Sequence, residues 1–155
     1  MSSSDSPPAV LGLAELSQRI GSSPFHGWLG LTAESIDADG VTLILAPRRE
    51  LIGNPRTGAL QGGVLGCMID AAASFSIISR TGASNVTIDM SVDFHRAALL
   101  GAVDGRLRAV GTVTRIGRTI STAQARVLDG GGALIASGRA VFKNTEAAMK
   151  SAEPG

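Results

Sequence analysis

The sequence predicts an α+β domain in which a curved antiparallel sheet wraps one long central helix. Three observations point there. The run QGGVLGCMIDAAASFSIISR, Gln61 to Arg80, carries apolar residues on every side instead of along one stripe. A helix apolar all round is a buried helix. Segments of alternating polarity stand around it, the mark of strands with one buried face. Turn signals join those segments in series, which favours antiparallel neighbours, and strands in series leave the sheet to cover the helix.

The elements follow in order. Pro7 and Pro8 precede Val10, Leu13, Leu16 and Ile20, whose spacing predicts one short amphipathic helix from Ala9 to Ile20. Trp28 to Ile36 and Val41 to Ala46 read as two strands, turned by Asp37–Gly40 with its Asp39-Gly40 signal. Arg48 to Gly58, rich in Gly, Pro and Asn, reads as a loop before the central helix. Asn85 to His95 alternates cleanly. Val86, Ile88, Met90, Val92 and Phe94 should face a core, and Thr87, Asp89, Ser91, Asp93 and His95 the other side. Val103 to Thr114, Thr119 to Leu128 and Ala133 to Lys143 complete the sheet, with Asp129-Gly-Gly-Gly132 as a hairpin turn. A helix held inside a curved sheet is the hotdog arrangement. The division is a tail and short helix over 1–24, a hotdog domain over 25–143, and a polar tail over 144–155.

Composition removes several functions. The chain has 155 residues, enough for one core, and a formal charge of +1, too small to capture nucleic acid. Four Phe, one Trp and no Tyr make a poor platform for stacking bases. A single cysteine, Cys67, excludes an internal disulfide, and with two His it leaves too few ligands for a zinc centre. The Ser/Pro-rich start lacks the apolar stretch of a secretory signal. The reading is a cytoplasmic protein without membrane or nucleic-acid partners and without a cofactor.

Asp70 does not fit its surroundings. It is the only charged residue between Arg56 and Arg80, in the middle of the helix. An ionised carboxylate buried without a partner costs several kcal/mol, roughly. Either it is partly exposed or bonded by a neighbouring strand, or it is kept in an apolar site for chemistry. Gln61-Gly62-Gly63 opens the same helix. Free N–H groups and the positive dipole end collect there, and glycine admits a close ligand. A thioester oxygen gaining charge would be stabilised at that point, although Gly-Gly also suits a plain helix start. Gly62 and Asp70 lie eight residues apart, about 12 Å along a helix. One carbonyl cannot touch both from one helix. Antiparallel helices across a two-fold axis could bring Gly62 of one chain to Asp70 of another.

The segment NPRTGALQGGVLGCMIDAAAS resembles the signature of hotdog-fold thioesterases of the phenylacetate-pathway type. That signature reads Asn, a short Gly-containing loop, His-Gly-Gly, and an Asp or Glu in the helix. VTIDMSVDFHRAA is similar to the family's central strand and GRAVFK to its last, so the resemblance spans Phe25 to Lys143. It implies an acyl-coenzyme A thioesterase that assembles as a dimer or a homotetramer (a dimer of dimers), with coenzyme A entering as part of the substrate. It implies that the Gly62 N–H polarises the thioester carbonyl, and that Asp70, from the partner subunit, attacks it or activates water. Asn54 would hold water or substrate, and Thr87 would position water near the carboxylate. Gln61 departs from the usual His, and the loop from Asn54 is one residue longer than usual. Gln can donate a hydrogen bond but cannot shuttle protons at neutral pH, so acid–base or nucleophilic work falls to Asp70.

Coenzyme A phosphates want basic partners. Arg96, Arg115 and Arg118, near strand ends and the Gly117 turn, are candidates beside Gly63 of the helix start; Arg139 and Lys143 come after them. Any one of these can equally be a solvated surface charge. His95 reads as a surface or interface histidine and Cys67 as a small core residue. Two other functions compete. Hotdog hydratases need a histidine at the helix, and Gln61–Arg80 has none. A module that binds acyl-CoA or an aromatic ligand without turnover would suit Gln61.

Overall fold

The structure, a computed structural model, describes residues 7–101 and 105–145. The expected tail residues Met1–Ser6, the expected strand start at Val103 and the expected tail from Glu146 lie outside those residues. Chain order is α1 (Leu13–Ser22), α2 (Pro24–Leu29), β1 (Thr32–Ile36), β2 (Gly40–Leu45), a 3-10 turn (Arg49–Leu51), β3 (Ile52–Asn54), β4 (Ala59–Leu60), α3 (Gly62–Thr81), β5 (Asn85–Phe94), β6 (Leu107–Arg115), β7 (Ile120–Leu128) and β8 (Leu134–Asn144). Six strands form one antiparallel sheet in the order β1-β2-β6-β7-β8-β5, and β3 pairs β4 separately. The α+β hotdog architecture is therefore present, with α3 packed across β2, β6, β7, β8 and β5.

The core lies between α3 and the sheet. Leu43, Leu45, Leu107, Val127 and Phe142 from the strands meet Met68, Ile69 and Ile77 from α3, all fully buried. Full burial of such a side chain is worth about 1.5–3 kcal/mol. The close approach needs glycine at one point: a Cβ on Gly111 of β6 would sit 1.9 Å from the Ala72 carbonyl oxygen of α3. α3 ends on Gly82 in the left-handed region, φ 71°, whose N–H donates to the Ile78 carbonyl. Arg80, 4% exposed, donates from Nη2 to the carbonyls of Asp37 and Ala38, tying that end to the β1–β2 turn. α3 is long and apolar enough to cross a membrane by composition, but most of that stretch is buried in the fold.

Four expectations change, three of them before α3. Trp28 to Leu31 does not extend into a strand. Ser23 caps a short helix by accepting from the His26 N–H, Pro24 stands at its first position, and Gly30, φ 82°, ends it. The first helix begins at Leu13 instead of Ala9. Val10 and Leu11 lie before it and both donate their N–H to the Ser79 carbonyl, and Val10 is 62% exposed. The loop from Arg48 to Gly58 contains a 3-10 turn and β3. Its carbonyl at Leu51 accepts from the Gln61 N–H, which holds the loop against the start of α3.

The largest difference concerns β5. Its apolar face was expected to sit in the core; Val86, Ile88, Met90 and Phe94 are instead 56, 55, 38 and 57% exposed. β5 is an edge strand that pairs β8 alone. A bulge at Ile88 also breaks the alternation: Thr87 pairs Phe142 and Asp89 pairs Val141, so Ile88 is the extra residue. Paired residues share a face. Before the bulge Thr87 accompanies buried Phe142; after it Met90 and Phe94 accompany buried Ala140 and Ala136.

Candidate active site

α3 is not covered all round. Gly63, Cys67, Asp70 and Ser74 fall at helical spacing along one stripe that its own sheet leaves open or partly open. The first strand residues of β5 lie along that stripe. Ser74 Oγ donates to Asn85 Oδ1 at 2.7 Å, and Thr87 Oγ1 donates to Asp70 Oδ1 at 2.7 Å. Asp70 is therefore half-buried and hydrogen-bonded by a neighbouring strand, and it keeps a second carboxylate oxygen. This is the first of the two descriptions, a partly exposed carboxylate satisfied by a neighbouring strand.

The helix start is bare. Gln61 stands at the N-cap and makes no side-chain cap bond, so no side chain of the cap competes for the first N–H groups. The Gln61 side chain lies against Gly53, where a Cβ would sit 2.3 Å from its Oε1. Glycine at 53 is what lets the amide pack there. Gly62 faces the Phe94 ring, 3.4 Å from where its own Cβ would be. Gly62, Phe94, His95 and Arg96 share a shallow pocket of about 350 Å³. On the other side of the helix start, Gln61, Gly63, Val64 and Cys67 line a groove of about 510 Å³ whose far wall carries Phe25 and Trp28.

His26 was not singled out in the sequence. Its ring packs edge-on against Phe75 of α3, centroids 5.8 Å apart, and its Nδ1 is buried without a hydrogen-bond partner among the described residues. Burial lowers its pKa, and the charge of Asp70 partly opposes that. The Cys67 thiol is pushed up by burial and by the same Asp70 charge, which keeps it protonated. The cue for His26 is Ser23-Pro24, a capped helix start; with a strand expected only from Trp28 onward, residues 21–27 belong to no expected element and give no reason to place an imidazole beside α3.

The other candidates separate. Asn54 closes its own turn, its Oδ1 accepting from the Arg56 N–H at 3.0 Å. His95 Nε2 is 2.8 Å from Ser137 Oγ on the exposed side. Arg96, whose N–H donates to the Ile135 carbonyl, stands at the Gly62 end of β5. Arg115 and Arg118 stand at the opposite end, at the β6–β7 turn, where Thr119 accepts from the Asn144 N–H and Asn144 pairs the first residue of β5. Within one chain these arginines cannot hold one phosphate cluster together. Arg139 and Lys143 lie on β8. Among the described residues no three His, Cys, Asp or Glu side chains converge as metal ligands.

A central helix with a bare glycine start and one strand-held carboxylate, inside an antiparallel sheet, defines a hotdog-fold thioesterase-type domain. The chain belongs to the thioesterase superfamily, whose family profile matches residues 57–136, from before the glycine start to the first residues of β8. A Bordetella protein of the thioesterase superfamily is 40% identical, with a TM-score of 0.79 over 84% of this chain and 96% of its own. Zebrafish thioesterase superfamily member 2 is 26% identical, with a TM-score of 0.73 over 86% and 98% of the two chains. The PaaI protein of the Escherichia coli phenylacetic acid degradation operon, 16% identical with a TM-score of 0.74 over 88% and 98%, shares the fold. No curated protein matches the chain. Family membership supports hydrolysis of acyl thioesters.

Proposed function

We propose that this protein hydrolyses acyl-coenzyme A thioesters in a site shared by two subunits. The observation that carries the reading is the Thr87-held Asp70 on the open stripe of α3, eight residues from the bare start at Gly62. The Gly62 N–H would polarise the thioester carbonyl, where developing negative charge meets the helix dipole. The partner's Asp70 would attack the carbonyl carbon or take a proton from water, and coenzyme A would leave as the thiol. Gln61, held against Gly53, would orient or donate, and its amide takes no proton. Asn54 and Thr87 would order water, Thr87 through the carboxylate it already binds.

Self-association follows from β5. An edge strand offers unpaired backbone groups, and this one also exposes Val86, Ile88, Met90 and Phe94. Two copies of β5 paired antiparallel about a two-fold axis would continue the sheet and cover the open stripe. The Gly62 end of one chain would then meet the Asp70 end of the other, since Gly62 lies by Phe94 and Asp70 by Thr87. The same pairing would bring Arg96 of one chain toward the partner's Arg115 and Arg118, at the rim where coenzyme A phosphates would lie.

The test is thiol release from a panel of acyl-CoAs, with Cys67 replaced or its one equivalent subtracted. Turnover with at least one substrate, absent in Asp70→Asn, is the expected result. Saturable binding of every acyl-CoA without turnover would replace the enzyme with a binding module, the function that Gln61 in place of His favours.

A further inference from the structure

We infer that the groove between α2 and the first two turns of α3 receives the acyl group, and that Phe25 and Trp28 decide which acyl groups are accepted. The inference rests on the reading that the Gly62 end of α3 binds the thioester carbonyl. Three features carry it.

Position comes first. The groove begins at Gln61 and Gly63, the residues on either side of Gly62, and passes over Cys67. An acyl carbonyl at the Gly62 N–H therefore has the groove directly beside it. Its chemistry comes second. Phe25, Trp28, Leu51, Ile52 and Val64 line it, and Glu50 is the one charged side chain in the lining. Such a groove favours apolar acyl groups, and its one carboxylate, Glu50, lies 3.7 Å from the Arg48 guanidinium. About 510 Å³ suits a compact chain or ring.

Preorganisation comes third. The chain has five aromatic residues, and two stand exposed at this wall, Phe25 at 48% and Trp28 at 59%. Their rings stack at 6.3 Å with an interplanar angle of 27°. Arg48 fixes the pair: its guanidinium lies 5.0 Å from the Trp28 ring centre and donates to the Leu29 carbonyl at 2.6 Å. Exposed aromatic surface held in place by a dedicated arginine is a recognition wall, and ring-bearing acyl groups gain most from it.

Two measurements test this. The first is the ratio of kcat/KM for benzoyl-CoA to that for acetyl-CoA, in the wild type, Trp28→Ala and Phe25→Ala. A ratio is blind to how much of a variant folds. Apolar contacts of this size are worth roughly 10–200-fold, so the ratio is expected to fall about 10-fold or more in Trp28→Ala. The second needs no turnover. Trp28 is the only tryptophan and Cys67 the only cysteine. Sodium benzoate should shift Trp28 emission and slow thiol modification of Cys67, and sodium acetate at equal concentration should do neither. Thioester turnover with an unchanged ratio and no benzoate response overturns the groove and leaves the enzyme standing. A benzoate response in a protein that hydrolyses no thioester overturns the enzyme and leaves the groove standing.

Discussion

Thr87 donates its hydroxyl to Asp70 Oδ1 at 2.7 Å across 17 residues of sequence, joining the edge strand of the sheet to the central helix. The bond leaves the other carboxylate oxygen for a reacting partner. It also gives the carboxylate a fixed orientation, which a lone helical Asp would lack.

Thr87→Val keeps the shape of the side chain and removes the donor. A hydrogen bond to a charged group is worth about 1.5–3 kcal/mol, so kcat should fall roughly 10- to 100-fold, and Thr87→Ser should restore it. Asp70→Asn should cost more, about 10²–10⁴-fold. Steady-state thiol release on folded variants decides the order. Thr87→Val at the wild-type rate would mean that the bond is structural only.

Mixed subunits test the shared site. Gly62→Pro removes the polarising N–H at a helix position that tolerates proline, and Asp70→Asn removes the carboxylate. In a mixed dimer one site receives both defects and the other neither. Random mixing gives about half mixed dimers, hence roughly a quarter of wild-type activity if sites act independently. Co-expression followed by the thiol assay measures it. Recovery near zero, with both variants folded and mixed, would place each site within a single chain.

Ile88 is 55% exposed in the single chain, so the fold of one subunit does not need it. Ile88→Lys should leave the far-UV circular dichroism unchanged, convert the assembly to monomer in analytical ultracentrifugation, and abolish turnover with it. A fully active dimeric variant would move the interface away from β5.

His26 sets an acid limb to stability. Burial holds its pKa below the ordinary 6.5, the nearby Asp70 charge opposing. As pH falls through about 6.5 the unfolded chain takes a proton that the folded chain resists, so stability drops with falling pH; above 6.5 His26 adds no slope. His26→Phe keeps a ring against Phe75 and removes the titration. Between pH 7.5 and 5.5 the wild type should lose more Tm than this variant. Equal losses would show that other groups carry the limb.

Legibility in the sequence differed by element. α3 was plain, because an apolar run of that length with glycine at its start has one economical structure. The strands after it were placed to within a residue or two where both ends are described. α2 was misread because Trp28-Leu29-Gly30-Leu31 looks like a strand until Ser23-Pro24 is weighed as a cap. β3 and β4, three and two residues long, are too short to show a period. At the site, Asp70 and Gly62 stood out as exceptions to a pattern, and Thr87 came through family resemblance. His26 and the aromatic wall did not stand out, because α2 is brought to α3 by tertiary packing alone.

The bulge at Ile88 makes β5 two gratings set half a period apart. Residue 87 on one side and residues 90, 92 and 94 on the other turn toward the helix, though a regular strand would send 87 the opposite way from the other three. The polar grating serves the carboxylate and the apolar grating serves packing, and each can vary without disturbing the other. Deleting Ile88 would bring them into step. Thr87 would stay opposite Phe142 and Asp89 opposite Val141, so loss of this one residue is expected to be tolerated better than a deletion elsewhere in the strand, which would turn either Thr87 or Met90 to the other face.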